Sequence, residues 1–256
     1  MFNTISFIGA GRIARIMLGG WKKAGAVPPQ VLAFDTNPDA ITSLQADFPA
    51  VQPATLEQCA AADLVFGALH PPAMPAMLEQ IAGKLKPDAV FCSLAPRIKL
   101  AALAEKLGGF GRLARLNPNS PGIIGMGYNP VVLAATLPPD ARSALLDLFK
   151  PLGHSPEIEE NLLETYAVIS AMGPTYFGFQ FAEVERLGRE FGLSREAARE
   201  AMRSMLHGTT DLLFGGALPT EQALDLVPVR PMAEDEPAIR QMLQQRLGAI
   251  HARLTA

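Results

Sequence analysis

Ile5-Ser6-Phe7-Ile8-Gly9-Ala10-Gly11-Arg12-Ile13-Ala14 is the stretch of sequence that decides the fold. An apolar run with strand-like alternation enters a Gly-x-Gly-x-x-Ala turn, and apolar residues continue beyond it at helical spacing. Strand, tight turn and helix in this order are typical of a dinucleotide-binding domain. On this interpretation Gly9 permits the sharp turn, Gly11 keeps a side chain away from the pyrophosphate, and Ala14 lets the helix pack closely on the strand.

The residues around this turn are predicted to bind the phosphates and the adenosine ribose of the cofactor. Ala10, Arg12 and Ile13 place backbone N–H groups near the positive end of the helix dipole, which favours phosphate. Asp35 ends a second apolar run and is followed by Thr36, and an acid about 20 residues beyond such a turn can hydrogen-bond the ribose. Asp35 would repel a 2′-phosphate and so favours NAD, whereas Arg12 could reach that phosphate, so NADP and NAD both stay open.

Composition is that of an ordinary soluble globular protein and disfavours several classes of partner. The chain has 256 residues, 49% hydrophobic and 18% charged, with a formal net charge of -3, which gives no electrostatic reason to expect nucleic acid or an anionic membrane as partner. No run approaches the roughly 18 apolar residues of a membrane span, and no basic leader opens the chain. Cys59 and Cys92 form no cluster with histidine at metal-ligand spacing, so we expect no metal and a reducing cytoplasm.

Strands and helices alternate through the first part of the chain. Apolar strand runs at 62–69 and 89–94 are each separated from the next by an amphipathic helical stripe. The alternation predicts an α/β domain with a parallel sheet, and ligands bind such sheets beyond the carboxyl ends of the strands. The segment Leu69-His70-Pro71 and the loop from Ser93 to Arg97, which contains Ala95, are therefore predicted to line the cofactor cleft.

A loop rich in proline and glycine, from Arg115 to Gly127, interrupts this alternation. Loops of this composition in a compact domain are more often functional than decorative and have a fixed shape. Pro118 and Asn119 are accordingly predicted to line the nicotinamide pocket, with a satisfied turn as the alternative. Beyond the loop, short strands are predicted at 131–135 and 156–159, with a helix at 140–149 between them.

From about residue 160 the hydrophobic pattern is helical to the C-terminus. Helices are predicted at 162–191, 194–213, 220–226 and 235–254, with Ser194 and Thr220 as N-caps of the second and third. We therefore expect a Rossmann-type dinucleotide-binding domain at 1–159 and an all-helical dimerisation and substrate domain at 160–256.

Four segments carry a likeness that extends over most of the chain. They are Phe7-Ile8-Gly9-Ala10-Gly11-x-x-Ala14, Arg115-x-x-Pro118-Asn119-Ser120-Pro121, Ser170-Ala171-Met172-Gly173-Pro174-Thr175-Tyr176 and Gly192-Leu193-Ser194-Arg195-Glu196-Ala197-Ala198. In these segments the chain resembles the pyrroline-5-carboxylate reductase family. The resemblance implies a dinucleotide domain followed by a helical domain that dimerises, with the active site where they meet. It also implies hydride transfer from NADPH or NADH to the C=N bond of a small carboxylated imine, a step of proline biosynthesis.

The chain departs from that family where the substrate is held. The family's Lys-Pro after the fourth strand is His70-Pro71 here, and its loop rich in serine, threonine and glycine is replaced by residues 227–235, which contain no serine or threonine. The resemblance implies that the family's loop holds the substrate carboxylate. Arg230 is predicted to bind that carboxylate instead, with a salt bridge to Glu234 or Asp235 as the alternative.

Three residues are candidates for contact with the reacting groups. Thr175 and Tyr176 follow Gly173-Pro174, which should break or cap a helix and leave backbone donors free, although packing is the alternative. His70 ends a strand at the predicted cofactor edge, and histidine is a common general acid, so His70 is either a proton donor or a surface cap.

Two other functions stay open. A deazaflavin-linked NADP reductase shares the first domain, and a dinucleotide-binding sensor without turnover is consistent with the altered loop at 227–235. Hydroxyacid dehydrogenases of similar plan use a lysine on a long helix, and none lies between Thr165 and Glu183, which disfavours that class. The expected partners are a small-molecule substrate and a second copy of the chain, because apolar helices carrying Phe177 and Phe181 are hard to bury in one small unit.

Overall fold

A doubly wound sheet lies at the centre of the first part of the chain in the computed structural model, which describes residues 2–256. The strands in this range are β1 Thr4–Ile8, β2 Gln30–Phe34, β3 Val51–Pro53, β4 Leu64–Gly67, β5 Val90–Ser93, β6 Leu113–Leu116, β7 Gly127–Tyr128, β8 Val131–Leu133 and β9 Gly153–His154. Their order in the main sheet is β3-β2-β1-β4-β5-β6-β8, and only β8 runs antiparallel to its neighbour. The predicted α/β fold is confirmed, since this is the strand order of dinucleotide-binding sheets.

Helices follow most of the strands and make up nearly all of the C-terminal part. They are α1 Arg12–Lys23, α2 Pro38–Asp47, α3 Leu56–Ala60, α4 Met74–Ile81, α5 Leu100–Lys106, α6 Pro139–Phe149, α7 Leu163–Tyr166, α8 Gly173–Glu190, α9 Arg195–Phe214, α10 Thr220–Asp225 and α11 Glu236–Thr255. A π-helical segment, Ala167–Ala171, separates α7 from α8. No helix within the described residues is long and apolar enough to cross a membrane.

The core lies on both faces of the main sheet. Alternate residues of β1 face opposite sides, so Phe7 belongs to one buried cluster and Ile8 to the other. On the first face the rings of Phe7 and Phe66 stack with centroids 5.0 Å apart, and the Trp21 indole donates a hydrogen bond of 2.8 Å to the Leu148 carbonyl. Layers of helices therefore cover both faces, as a parallel sheet requires.

The chain forms two compact units, each with its own set of contacts. The first unit contains residues 2–172 together with His251–Ala256, and the second contains Gly173–Ile250. This division differs from the boundary expected near residue 159. Residues 160–172 belong to the first unit because Glu160 and Glu164 form ion pairs with the buried Arg115 of β6.

The second unit consists of α8, α9, α10 and the greater part of α11. The predicted N-cap at Ser194 is confirmed, since its side chain accepts a hydrogen bond of 3.1 Å from the Ala197 N–H. The predicted cap at Thr220 is wrong, because Pro219 occupies the N-cap position and Thr220 is the first helical residue. Proline fits that position since its fixed φ already matches the extended backbone before the helix.

Other differences from the sequence prediction concern short elements and the helix predicted at 162–191, which is divided into α7, the π-helical segment and α8. The strand predicted at 156–159 reduces to a single bridge between Glu157 and Val131 of β8, and β6 is the ladder partner of β8. The short elements β3, α3, α5 and β6 were not predicted, and each spans seven residues or fewer. Such lengths give too few turns or alternations for periodicity to indicate them.

Candidate dinucleotide site

The glycine turn after β1 contains two glycines with different physical reasons for being glycine. Gly9 has a φ of 111°, and a Cβ placed there would lie 2.5 Å from the carbonyl oxygen of Ala68, so the fold itself excludes any side chain. A Cβ on Gly11 would meet nothing within 4 Å. The protein's own packing does not require glycine at position 11, which leaves open space beside the turn for another molecule.

The first turn of α1 borders this open space. Gly11 is the N-cap, and no side chain among the described residues caps the helix there. Ala14 is fully buried, which confirms its predicted packing on the sheet, whereas Arg12 is exposed. Helix N–H groups that no side chain caps, at the positive end of the helix dipole, form a suitable site for an anion such as a pyrophosphate.

Asp35 is fixed at the carboxyl end of β2. Its carboxylate accepts hydrogen bonds from the Ala10 N–H at 2.8 Å and from the Asn37 N–H at 2.9 Å. The next residue, Thr36, is exposed. A carboxylate has about four lone-pair sites, so two backbone bonds hold Asp35 in place and leave acceptor capacity for a ribose hydroxyl.

The reversal in strand order lies between β1 and β4, where a ligand cleft is expected. The Ala68 N–H donates to the Ile8 carbonyl at 2.8 Å, so the segment Leu69-His70-Pro71 begins beside the glycine turn. His70 is exposed, and its carbonyl accepts a 3.0 Å hydrogen bond from Ala73 as the N-cap of a short 3₁₀ turn. His70 therefore lies at the strand end near the expected cleft. The surface cap, which was the alternative to proton donation, is observed.

The loop after β5 leaves the same edge of the sheet. The Leu94 N–H donates to the Gly67 carbonyl at 2.9 Å, which ties the loop to the end of β4. Ser93 is buried, and its hydroxyl accepts a hydrogen bond of 3.3 Å from the Ala95 N–H. Ser93 and Ala95 therefore form a closed turn at the predicted wall of the cleft.

The side chain and the N–H of Asn119 form three hydrogen bonds that shape the loop after β6. Its side-chain oxygen accepts from the Tyr128 N–H at 3.1 Å, its amide donates to the Ser170 carbonyl at 3.3 Å, and its N–H donates to the Asn129 side chain at 3.1 Å. Pro118 before it is buried. These contacts are those of a turn-stabilising residue, which was the alternative to a nicotinamide contact.

The remainder of that loop packs directly on α1. A Cβ on Gly20 would lie 2.4 Å from the Gly122 carbonyl oxygen, so the backbones of helix and loop touch. Lys23 adds a 2.7 Å hydrogen bond from its Nζ to the Ile124 carbonyl. The loop therefore has a fixed shape, as its composition predicts.

A buried ion network at the end of β6 was not predicted. Arg115 is fully buried, and its guanidinium pairs with Glu160 at 3.0 Å and with Glu164 at 2.5 Å. Glu160 also accepts the Leu100 N–H at 2.7 Å, and Glu164 accepts the Arg97 N–H at 3.0 Å. One signal was available in the sequence, because an arginine within the apolar run Leu113–Leu116 requires an acidic partner.

The remaining candidates lie in the second unit. Thr175 and Tyr176 are in the first turn of α8, where Thr175 is exposed and burial raises the pKa of the Tyr176 hydroxyl. Arg230 is ion-paired with Glu236, not with either predicted acid, Glu234 or Asp235. Glu236 is the first residue of α11, where a carboxylate is favoured by the helix dipole.

Sequence comparison relates the chain to enzymes of known activity. A family model described as "NADP oxidoreductase coenzyme F420-dependent" matches residues 4–96. The pyrroline-5-carboxylate reductase of Escherichia coli (strain K12) is 29% identical over 185 residues, covering 72% of this chain and 68% of that relative. The chain is therefore similar to pyrroline-5-carboxylate reductases. The Pseudomonas aeruginosa pyrroline-5-carboxylate reductase is 28% identical over 220 residues, covering 85% of this chain and 81% of the relative.

Solved structures of pyrroline carboxylate reductases share the fold over nearly the whole length. The Plasmodium falciparum pyrroline carboxylate reductase, solved with NADP bound, superposes with a TM-score of 0.81 at 17% identity, covering 98% of this chain and 97% of that one. The Coxiella burnetii pyrroline-5-carboxylate reductase gives a TM-score of 0.73 at 21% identity, covering 99% and 97%. The resemblance stated from the sequence is therefore confirmed.

Proposed function

We propose that the chain is an NAD(P)H-dependent oxidoreductase of the pyrroline-5-carboxylate reductase type. It transfers hydride to the C=N bond of pyrroline-5-carboxylate or of a related small carboxylated imine. Sequence similarity to pyrroline-5-carboxylate reductases over 72% and 85% of the chain carries the proposal. The open space beside Gly11 supports it, because a Cβ there would fill the position where a pyrophosphate approaches the turn.

The cofactor is held along the carboxyl edge of the sheet. Its pyrophosphate lies on the turn Gly9–Ala14, and its adenosine ribose is hydrogen-bonded by Asp35. Its nicotinamide end lies toward the loops at Ser93–Ala95 and Pro118–Asn119. When bound, the reduced nicotinamide supplies the hydride.

The chain's own residues contribute mainly position. A protonated imine already attracts hydride, so acceleration comes from holding the two reactants in register and excluding water. The rigid turns at Ser93 and Asn119 serve this purpose, because their hydrogen bonds fix the backbone before any ligand arrives. Thr175 and Tyr176 remain predictions for contact with the substrate, and His70 for proton donation.

An assay by loss of reduced-nicotinamide absorbance tests the proposal. Pyrroline-5-carboxylate, other cyclic imines and small keto acids are offered with NADH and with NADPH, and reduction of an acidic imine is expected. Loss of reduced-nicotinamide absorbance only in the presence of an oxidised deazaflavin would instead identify a redox-carrier reductase. Tight cofactor binding without turnover of any compound would identify a sensor.

The preferred cofactor is NADH on this proposal, although both dinucleotides remain candidates. Two backbone N–H groups fix the Asp35 carboxylate, so it cannot swing away from a 2′-phosphate. We expect tighter binding of NADH than of NADPH, and Asp35→Asn should narrow the difference. Asp39→Asn, an exposed acid on the same segment, is the control. A preference for NADPH that disappears in Arg12→Ala would contradict the assignment.

The proposed assembly is a homodimer, or a higher homo-oligomer, formed through the second unit, and the proposed location is the cytoplasm. Exposed large apolar side chains of this unit support the assembly; they include Phe177, Phe179, Phe181, Val184, Phe191, Phe214, Val229 and Met232. An exposed apolar area of this extent favours pairing with a second copy. Sedimentation showing a stable monomer at micromolar concentration would argue against it.

A further inference from the structure

Arg97 has an unusual backbone conformation beside the candidate site. Its φ is 78°, and it is the only residue other than glycine with positive φ within residues 2–256. Side chains disfavour this region because the Cβ crowds the backbone, and positions that keep it cluster at functional sites. A glycine would relieve the strain, so the requirements of folding do not explain an arginine at this position.

The loop around Arg97 is anchored on both sides. Before it, Leu94 is bonded to the end of β4 at Gly67. At Arg97 itself the N–H donates to Glu164 at 3.0 Å, and Glu164 is held in turn by the buried Arg115. The strained backbone is therefore fixed by a buried ion network, and the origin of the Arg97 side chain is fixed with it.

The Arg97 guanidinium is available to a ligand. The residue is exposed, and among the described residues it forms no salt bridge. The two nearest acids in the network, Glu160 and Glu164, are already paired with Arg115. An arginine of this kind presents a planar fork of donors that matches a carboxylate in bidentate geometry.

The position on the sheet decides which anion Arg97 would meet. The glycine turn for the pyrophosphate follows β1, the ribose-binding Asp35 follows β2, and Arg97 follows β5. In the sheet β5 is two strands from β1, on the side opposite β2, which separates them by about 10 Å. In the proposed function this is the half of the edge that takes the nicotinamide, and the reacting substrate would lie beside it. Arg230, the residue predicted from sequence to bind the carboxylate, is already paired with Glu236.

We propose that Arg97 binds the carboxylate of the imine substrate and so determines specificity for acidic imines. The inference rests on the proposed function and assigns the recognition of its substrate class to one residue. It also accounts for the strain, since the left-handed backbone fixes the direction in which this side chain leaves a rigid loop.

Variants at Arg97 and at the neighbouring Lys99 test this assignment in the full chain. Arg97→Gly removes the charge and relieves the strain, Arg97→Lys keeps the charge without the fork, and Lys99→Gln is the matched control for an exposed cation on the same loop. Each is assayed with pyrroline-5-carboxylate and with 1-pyrroline, the same ring without the carboxylate. Cofactor affinity is measured separately by calorimetry.

Arg97→Gly should raise the KM for pyrroline-5-carboxylate roughly 10- to 100-fold, the usual effect of losing a charged hydrogen-bonding partner. The KM for 1-pyrroline and the cofactor Kd should stay within about twofold, the range of a distant surface change. Arg97→Lys should fall between Arg97→Gly and the wild type, and Lys99→Gln should match the wild type. The Tm of Arg97→Gly should rise by about 2 to 4 °C, because glycine removes the strain.

An unchanged KM for the acidic imine in Arg97→Gly, with an active wild-type enzyme, would overturn the inference alone. Equal losses with both imines, or a weaker cofactor Kd, would also overturn it, because the guanidinium would then serve the cofactor or the loop. A wild-type protein that reduces neither imine with NADH or NADPH would overturn the proposed function and this inference with it.

Discussion

The two units of the chain bury their apolar side chains to very different extents. In the first unit Phe7, Trp21, Phe66, Phe91 and Phe149 are all fully buried. In the second unit the buried hydrophobic residues are alanines, Ala198 and Ala223, while Phe179 is 68% and Phe214 81% exposed.

The difference follows from the number of layers. A sheet with helices on both faces encloses a core within one chain, whereas a few helices have no second layer on which to bury their apolar stripes. The first unit is thus complete as a folded body. The second leaves most of its large apolar side chains exposed.

The largest expected effect concerns the ligand space of the first unit. Gly11→Val should abolish dinucleotide binding and leave the Tm nearly unchanged, because nothing in the protein lies within 4 Å of the new Cβ. Gly9→Val should instead prevent folding, since its Cβ would lie 2.5 Å from the Ala68 carbonyl oxygen. Calorimetry with NADH and a melting curve separate the two. Normal dinucleotide binding by Gly11→Val would show that the pyrophosphate does not bind at this turn.

The next effect concerns the ion network that holds the first unit together. Glu164→Ala should lower the free energy of unfolding by about 3 to 5 kcal/mol, because Arg115 would keep a buried charge with a single, more exposed partner. Glu157→Ala breaks the exposed pair with Arg142 and should cost less than about 1 kcal/mol. Chemical denaturation measures both. Equal losses of unfolding free energy in the two variants would mean that the buried Arg115 pair stabilises the protein no more than the exposed Arg142 pair does.

A smaller effect is expected on the surface of the second unit. Phe179→Arg should shift the assembly toward monomer, because it places a charge in the proposed apolar contact. Met126→Arg is the control, since Met126 is 67% exposed in the first unit and Phe179 is 68% exposed in the second. Sedimentation at several concentrations compares them. If Met126→Arg dissociated the assembly and Phe179→Arg did not, the contact between copies would lie on the first unit and not on the second.

The smallest expected effect concerns the two cysteine thiols of the first unit, which should not react while the protein is folded. Burial raises the pKa of the Cys59 thiol to about 12, and it raises the pKa of the Cys92 thiol as well. Both thiols should therefore stay protonated and unreactive toward a disulfide reagent at about pH 8, and the thiolate forms only as the pH approaches the raised pKa. Unfolding should expose both thiols to the reagent, so two reactive thiols per chain should be measured. Fast labelling of the native protein would show that the core opens.

Much of the first unit could be predicted from the sequence because its determinants are local. The glycine turn, the strand before it and the helix after it are specified within ten residues, and Asp35 follows at a spacing set by one crossover. Ser194 could be recognised as an N-cap for the same reason, since its bond reaches only three residues ahead. Periodicity and turn chemistry act over such distances.

The tertiary structure alone decided which side chains are free to bind a ligand. Arg115 pairs with acids 45 and 49 positions away, and Arg230 is paired with Glu236 and not with either nearer acid. Arg97 is an ordinary loop cation in the sequence, and in the fold the N–H of its strained backbone donates a hydrogen bond to Glu164, 67 positions later. Pairing of charges depends on distances in space, which a linear pattern does not contain, so the sequence could name candidate arginines but could not show that Arg230 is paired with Glu236.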